Sequence, residues 1–243
     1  MLPTLQVGPL ALQVPGLMFL LALWLGLNLT EKFAPRRGMN AETLYNLIFA
    51  ALISALIGAR LSFAAQNFAI FTATPLSLIS LNPGLLDPFG GFAAGLLAAL
   101  IYGQRKKLAL WQTLDVLTPF FAMMMAGLAL SNAASGAAFG METTLPWGID
   151  LWGAKRHPTQ FYALGLALAN LALLGWQWKT TGWRDRTLFL FFVALTAGAW
   201  LFVEGFRGDS VILAGGFRAG QVLAWALMAA ALGRIMLLDA SKK

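Results

Sequence analysis

Hydrophobic residues run along this chain in long, nearly uninterrupted segments, without the alternation of apolar and polar residues that is typical of a half-buried strand. A helix of roughly 20 apolar residues crosses the hydrocarbon core of a bilayer. Prolines, glycines and short groups of basic residues separate the segments. The pattern therefore predicts seven helical spans, near residues 14–30, 43–65, 89–103, 112–130, 158–178, 187–206 and 217–237.

Three stretches depart from a plain span and its connecting loop. The segment 89–103 is short and rich in glycine, so it either crosses the bilayer packed tightly against its neighbours or re-enters without a full crossing. The stretch 67–88 is apolar but broken by prolines, which predicts an arm lying in the membrane interface on the outer side. The stretch 131–156 combines glycines with Trp147 and Trp152 and predicts a small cap on that side.

The composition agrees with a membrane protein and excludes several other classes. Of the 243 residues, 59% are hydrophobic and 11% are charged, whereas a soluble domain carries about 25% charged residues. A soluble enzyme, a disordered chain and a collagen-like fibre are therefore excluded. We expect an all-α, polytopic membrane protein that forms a single integral membrane domain over residues 1–243.

The positive charges predict how the spans are oriented. The formal net charge is +7, and the chain has 17 Lys and Arg residues, most of them in four short groups. By the positive-inside rule these groups face the cytoplasm, which places the N-terminus outside and the C-terminus inside. Anionic lipid headgroups, and not nucleic acid, are the expected partners of these charges. The groups are Lys32, Arg36 and Arg37; Arg105, Lys106 and Lys107; Lys179, Arg184 and Arg186; and Arg234, Lys242 and Lys243.

Polar residues within the spans are candidates for function, because a charge in lipid is costly unless it is paired or faces a cavity. Arg60 either reaches the outer interface or contacts a phosphate headgroup through its planar guanidinium. Glu204 and Arg207 lie three residues apart on one helix face and can form an ion pair. Alternatively, Glu204 faces a pocket that also receives Arg60 or Arg156. Asn132 either caps a helix or binds a ligand oxygen.

The densest polar stretch before a span is Arg156-His157-Pro158-Thr159-Gln160. His157 is either structural or functional, and Gln160 either has a functional role or completes a helix cap. Because His157 is the only histidine and the chain has no cysteine, neither a multi-histidine nor a cysteine-ligated metal site is expected. No motif indicates a nucleotide, metal or redox cofactor. Asp115 is expected to be a structural acid at the interface, near a helix N-terminus.

These segments together resemble prolipoprotein diacylglyceryl transferase, a bacterial inner-membrane enzyme, over nearly the whole chain. Each motif is weak alone, but their order on seven spans is specific. The matching segments are Gly8-Pro9-Leu10-Ala11-Leu12 with Gly16-Leu17-Met18, Gly58-Ala59-Arg60, Phe89-Gly90-Gly91, Ala126-Gly127 through Asn132, Gly136 and Gly140, the Arg156-to-Gln160 stretch, Val203-Glu204-Gly205-Phe206-Arg207 and Gly220-Gln221.

The resemblance implies a multi-pass protein of the bacterial inner membrane. That family moves a diacylglyceryl group from phosphatidylglycerol to the lipobox cysteine of a prolipoprotein, so a phosphatidylglycerol-like phospholipid and a prolipoprotein are the implied partners. Arg156, His157 and Glu204 are the implied candidates for catalysis. The residues expected to bind the lipid or its headgroup are Arg60, Asn132, Gly136, Gly140, Arg156, Gln160 and Arg207.

Several positions depart from the family pattern, and each departure removes a polar or charged group. The family's active-site histidine falls at Phe89, and its signature arginine falls near Ala129. The acidic residue of the same loop falls near Ala137, and a second essential arginine falls at Trp200. Residues 128–138 contain no ionisable side chain, so no small shift of the alignment restores the missing charges.

Three functions are compatible with this pattern. The first is a divergent family member that keeps the lipid cavity while the transfer chemistry is weakened or lost. The second is an active transferase, or one with an altered substrate, that uses Arg60, Asn132, Arg156, His157 and Glu204. The third is a structural subunit of a membrane complex, in which the aromatic residues serve only lipid and helix packing.

Overall fold

A computed structural model of the chain describes residues 3–8, 10–73, 75–79, 82–180 and 187–240, and these residues are mostly helical. A short antiparallel hairpin, β1 (Thr4–Val7) with β2 (Leu10–Gln13), precedes the first helix. Four residues of the predicted basic groups, and Pro9 of the opening motif, lie outside the described residues. The four are Arg184, Arg186, Lys242 and Lys243.

Each of the seven predicted spans falls on a helix, so the all-α prediction is confirmed. The helix bounds differ from the predicted bounds by a few residues, because the ends are set by caps and side-chain partners that hydropathy does not report. The helices are α1 (Val14–Phe33), α2 (Ala41–Gln66), the short α3 (Phe68–Ala73), α4 (Pro88–Arg105), α5 (Leu110–Ser135), α6 (Thr159–Thr180), α7 (Leu188–Glu204) and α8 (Ala219–Ala240).

Five helices in the described part of the chain are long and apolar enough to cross a membrane. They lie on α1, α2, α5, α6 and α8. The helix α7 is apolar but has only 17 residues. The helix α4, which is the short glycine-rich segment, is not among the five.

The chain divides into two compact units. Unit 1 comprises Met1–Lys32 and Leu114–Lys243, and unit 2 comprises Phe33–Thr113. Unit 2 contains the close pair α2 and α4. Unit 1 contains α6, α7, α8 and most of α5.

In unit 2, α2 and α4 approach along faces of small residues. Gly58 lies directly against Ala94, and a Cβ on Gly91 would lie 3.0 Å from the carbonyl oxygen of Ala55. Small residues let two helix backbones come close, and the van der Waals contacts made at this distance help to hold helices together in lipid. Three glycines of the short third segment, Gly90, Gly91 and Gly95, therefore serve tight packing against α2.

The stretch predicted to form an arm, 67–88, consists of short helical turns. The helix α3 is followed by 3₁₀ turns at Pro75–Ile79 and Pro83–Leu85. Phe71 is buried and packs edge-on against Phe63, with ring centroids 6.2 Å apart. Leu76 and Ile79 are exposed. The arm thus presents apolar side chains on its surface.

In unit 1, α5, α6 and α7 share a core that includes Ala122, Leu174 and Phe192. Asp115, which was expected to be a structural acid near a helix N-terminus, lies on α5 with its side chain buried. Its Oδ1 accepts a hydrogen bond of 2.9 Å from the backbone N–H of Phe189, in the first turn of α7. A carboxylate is favourable there because the first backbone N–H groups of a helix have no partner within the helix.

The predicted cap begins later than residue 131, because α5 continues to Ser135. Its hairpin pairs β3 (Ile149–Leu151) with β4 (Ala154–Arg156). Backbone bridges join Glu142 to Arg156 and Gly140 to Arg207. The segment that follows α7 is therefore tied to the cap by main-chain hydrogen bonds.

Candidate functional site

A pocket of about 330 Å³ lies between α5, α6 and α7, entirely within unit 1. Its walls are mostly apolar, and many of the lining residues are alanines. Small side chains on facing helices leave space that larger ones would fill. The lining residues are Ala122, Met125, Leu128, Ala129, Asn132, Ala138, Thr159, Gln160, Ala163, Ala167, Asn170, Phe192, Thr196, Ala199, Trp200, Val203 and Arg207.

Each helix contributes one face to the pocket. Residues three and seven positions apart share a face of an α-helix. On α5 this face is formed by positions 122, 125, 129 and 132, and on α6 by positions 160, 163, 167 and 170. The two stripes have the same spacing, so two helices wall the pocket over the same length of about 15 Å, at 1.5 Å of rise per residue.

The pocket is polar at the end near the cap. The C-terminus of α5, the N-terminus of α6 and the segment after α7 meet there, and they contribute Asn132, Gln160 and Arg207. The opposite end is lined by Ala122, Phe192 and the polar side chain of Asn170. The guanidinium of Arg207 lies at the end near the cap and most of the remaining wall is apolar, which suits a guest that has a polar head and an apolar tail.

The start of α6 is fixed to the loop that follows α5. Thr159 Oγ1 donates to the carbonyl oxygen of Ala138 at 2.7 Å, and Gln160 Nε2 donates to that of Ala137 at 2.9 Å. Gln160 is 1% exposed, and its Oε1 has no hydrogen-bond partner among the described residues. The side chain of Gln160 therefore connects α6 to the loop that follows α5, and it does not cap its own helix.

Glu204, the last residue of α7, forms the ion pair with Arg207. Its carboxylate is 3% exposed, and Oε2 accepts hydrogen bonds from Arg207 Nη1 at 3.2 Å and from Trp200 Nε1 at 3.3 Å. A Cβ on Gly220, in the first turn of α8, would lie 2.6 Å from the Glu204 carboxyl carbon. Glycine at this position therefore leaves room for the carboxylate.

Arg207 is the one ionisable residue among the described residues that line the pocket. Besides Glu204 it contacts Asp209, whose Oδ1 accepts a hydrogen bond of 2.9 Å from Arg207 Nε. This hydrogen bond raises the pKa of Arg207 above its usual value, so the guanidinium stays charged. Arg207 is thus paired with two carboxylates at the polar end of the pocket.

Arg218, which the sequence analysis did not single out, holds the turn after α7 in place. Its Nη1 donates to Ser210 Oγ at 2.8 Å and to the backbone carbonyl oxygens of Glu204 and Arg207. An arginine that precedes a span reads in the sequence only as an interfacial charge. Its partners lie 8 to 14 positions away, so spacing alone gave no signal.

Arg156 and His157 belong to the cap and do not line the pocket. Arg156 donates to Glu142 Oε1 at 3.3 Å and to the carbonyl oxygen of Leu151 at 3.1 Å. His157 lies 3.4 Å from Tyr162 through its Nδ1, and its ring centroid is 5.1 Å from that of Phe206. The structure therefore does not bring these two catalytic candidates to the pocket.

The glycines expected at the binding site have structural roles in the cap. Gly136 adopts φ = +76°, which favours glycine, and its carbonyl oxygen accepts a hydrogen bond of 3.1 Å from Trp152 Nε1. Gly140 packs against the His157 backbone so closely that any side chain would clash. Neither glycine lines the pocket.

Arg60 and Phe89 belong to unit 2. Arg60 Nη1 donates to the carbonyl oxygen of Leu85 at 3.0 Å. Phe89 is 86% exposed. Beside Phe89, the side chain of Asp87 caps α4 and accepts a hydrogen bond of 2.6 Å from Ser62 Oγ, which lowers the pKa of Asp87 below its usual value.

Two further polar residues of the pocket were missed by the sequence analysis. Asn170 lies in the middle of α6, and Thr196 in the middle of α7. Both are single polar residues inside apolar runs, a pattern that indicates a cavity-facing position in a membrane helix. The signal was present, but it does not say which residues share the cavity.

Within the described part of the chain, no cluster of three or more His, Cys, Asp or Glu residues is placed to hold a metal.

The chain matches the model of the family described as prolipoprotein diacylglyceryl transferase over residues 3–237. It is also similar to several proteins named phosphatidylglycerol–prolipoprotein diacylglyceryl transferase. The protein from Trichormus variabilis is 28% identical, over 90% of this chain and 82% of its own length. The one from Synechococcus elongatus is 27% identical, over 91% and 82%, and the one from Bordetella parapertussis is 28% identical, over 94% and 92%.

Proposed function

Because this chain belongs to the prolipoprotein diacylglyceryl transferase family, we propose that it is a divergent member that binds a phosphatidylglycerol-type lipid in its pocket while its transfer chemistry is weakened or lost. The family membership confirms the resemblance drawn from the motifs. The family belongs to the bacterial inner membrane and uses phosphatidylglycerol and prolipoproteins. The proposal is that this chain keeps the binding of the lipid and has a weakened or lost transfer reaction.

One observation carries the proposal. The two positions at which the family's arginines fall, Ala129 and Trp200, both line the pocket. An alanine contributes only apolar surface there, and the Trp200 N–H is already bonded to Glu204. The pocket is therefore present in this chain, but the two wall positions at which the family's arginines fall carry no positive charge.

The missing charges matter for the reaction. Breaking the bond between glycerol and phosphate requires stabilisation of the departing phosphate, and the attacking thiol must lose its proton. Removing one preorganised donor to a developing negative charge costs roughly 10²–10³ in rate, although such losses need not add. Replacement of the family's histidine by Phe89 also removes a candidate base.

What remains is suited to binding. The volume of about 330 Å³ lies within the range of ligand pockets, which is roughly 300–1,000 Å³. Arg207, which is paired with Glu204 and Asp209, places guanidinium donors at the polar end, with Asn132 beside it in the pocket wall. Most of the remaining wall is apolar and offers a surface for part of an acyl chain.

An active transferase is the second candidate. The Glu204–Arg207 pair is the observation in its favour, because it retains a carboxylate and a guanidinium 3.2 Å apart at the polar end of the pocket. In this alternative, the cysteine thiol of a prolipoprotein loses its proton and receives the diacylglyceryl group, and the phosphate departs with the glycerol headgroup. A structural subunit of a membrane complex remains the third alternative.

Complementation of a bacterial strain depleted of its own transferase separates the first two candidates. We expect no rescue by this chain, although the protein is inserted in the membrane and native mass spectrometry of the purified protein shows bound phosphatidylglycerol. An active family member serves as the positive control. Rescue would overturn the proposal in favour of the enzyme, and an inserted protein without bound lipid would favour the structural subunit.

We also propose that the N-terminus lies outside and the C-terminus in the cytoplasm, on the basis of the Lys and Arg distribution. Because the chain has no cysteine, single cysteines report each side without background. A cysteine at the exposed Leu5 should react with an impermeant thiol reagent in intact cells, whereas one at the exposed Gln104 should react only after lysis. The reverse pattern would overturn the orientation.

A further inference from the structure

One atom of a side chain that lines the pocket lacks the partner that a buried polar atom normally has. Among the described residues, Gln160 Oε1 is buried and accepts no hydrogen bond. The orientation of the amide is fixed by its other half, because the carbonyl oxygen of Ala137 can only accept and must therefore face Nε2. The unpartnered atom is thus an oxygen.

No donor among the described residues forms a hydrogen bond with Gln160 Oε1. The hydroxyl of Thr159 is committed to the carbonyl oxygen of Ala138. Two of the three guanidinium nitrogens of Arg207 donate to carboxylates. A buried acceptor left without a donor is destabilising, and a guest that provides the donor recovers that free energy.

We propose that Gln160 recognises a free hydroxyl group on the head of the lipid, which donates a hydrogen bond to Gln160 Oε1. This inference rests on the proposed function, since it takes the pocket as the lipid-binding site. A phosphodiester oxygen cannot fill the role, because it carries lone pairs and no hydrogen at neutral pH. An ammonium is the competing donor, so phosphatidylethanolamine is compared with phosphatidylglycerol in a separate mixture.

The consequence is a preference among lipids of equal charge. Phosphatidylglycerol and phosphatidylmethanol both carry one anionic phosphodiester, but only the glycerol head has free hydroxyls. The pocket should therefore hold phosphatidylglycerol more tightly than phosphatidylmethanol with the same acyl chains. We expect a preference of about tenfold, which corresponds to about 1.4 kcal/mol and lies within the cost of an unmet buried acceptor.

Native mass spectrometry of the full-length protein with an equal mixture of the two lipids tests this inference. The wild-type protein should retain phosphatidylglycerol about tenfold over phosphatidylmethanol. Gln160→Met keeps the length of the side chain but removes the acceptor, so it should bind both lipids alike. Gln112→Met is the matched control, because Gln112 also donates to a backbone carbonyl oxygen, that of Arg37, but lies in unit 2. It should keep the wild-type preference.

The wild-type measurement stands even if Gln160→Met fails to fold. Equal retention of the two lipids by the wild-type protein would overturn hydroxyl recognition and leave lipid binding intact. Stronger retention of phosphatidylethanolamine than of phosphatidylglycerol would also overturn it, in favour of an ammonium donor. Retention of none of these lipids would overturn the proposed function as well.

Discussion

The α2–α4 pair of unit 2 and the α5–α6–α7 pocket of unit 1 are both built from small residues, but the small residues do opposite things. In unit 2 glycine and alanine bring two backbones into contact, as at Gly58 and Ala94. In unit 1 alanines such as Ala129 and Ala163 face a space that is left open. Small side chains therefore do not by themselves predict tight packing. The spacing of the helices decides whether they close a contact or leave a cavity.

The polar groups of the two regions differ in the same way. Asp87, at the start of α4, accepts hydrogen bonds from Ser62 Oγ, Gln66 Nε2 and the N–H groups of Phe89 and Gly90. Gln160, in the pocket, has one amide atom bonded and the other without a partner among the described residues. A region whose polar groups are satisfied internally is suited to stability, whereas an unsatisfied group beside a cavity is suited to binding.

The largest expected effect tests the close packing of unit 2. Gly91→Leu adds a branched side chain at a position where even a Cβ would lie only 3.0 Å from the carbonyl oxygen of Ala55, so the two helices must separate. We expect a destabilisation of about 3 kcal/mol or more, seen as a lower midpoint in thermal unfolding in detergent. Gly103→Leu is the matched control on the same helix, because nothing lies within 4 Å of its Cβ position. Equal effects of the two variants would contradict the described packing.

The next effect tests the charge at the polar end of the pocket. Glu204→Gln keeps the shape of a buried side chain but leaves Arg207 with Asp209 as its remaining carboxylate. Removing one partner of a buried ion pair costs 3–5 kcal/mol, and the retained partner should reduce this to about 2 kcal/mol. The thermal midpoint should fall by several degrees.

The control for this variant is Glu142→Gln. Glu142 pairs with Arg156, but its side chain is 70% exposed, so the loss should stay within about 0.5 kcal/mol. A larger effect at Glu142 than at Glu204 would show that the cap, and not the end of α7, carries the more important ion pair.

A smaller effect separates binding from stability in unit 1. Ala163→Leu fills part of the pocket and should lower the retention of phosphatidylglycerol about tenfold or more, with a thermal midpoint close to that of the wild type, because space is available for the added carbons. Native mass spectrometry measures the retention. Ala169→Leu, on an exposed face of α6, should change neither quantity. A large destabilisation by Ala163→Leu would mean that the cavity is not open in solution.

The smallest effect concerns pH. Because hydrogen bonds lower the pKa of Asp87 below that of the unfolded chain, the carboxylate contributes stability above about pH 4. This contribution should disappear as the pH falls through the folded-state pKa. The difference in thermal midpoint between wild type and Asp87→Asn should therefore be constant near neutral pH and shrink below about pH 4. A difference that grows in acid would contradict the assigned direction.

The sequence alone determined the class of the protein and much of its site chemistry. Long apolar runs are stable as helices that cross a bilayer, where lipid surrounds them. Composition and run length therefore predicted the helices and their approximate bounds. The motif order predicted the family, which the family match confirms, and it also predicted that Ala129 and Trp200 stand where the family has arginines. Asn132, Gln160 and Arg207 were also expected at a binding site, and all three line the pocket.

Only the tertiary structure decided which faces of those helices meet. A membrane span is apolar all round, so its sequence carries little of the periodicity that shows the buried face of a soluble helix. The partner of Asp115 lies 74 residues away at Phe189, and the pocket joins Asn170 to Thr196 on another helix. The predicted cap already included Arg156, with His157 next to it, but the sequence did not predict that neither residue lines the pocket. Contacts between distant positions depend on helix spacing and rotation, and these are set by the packing of all the side chains together.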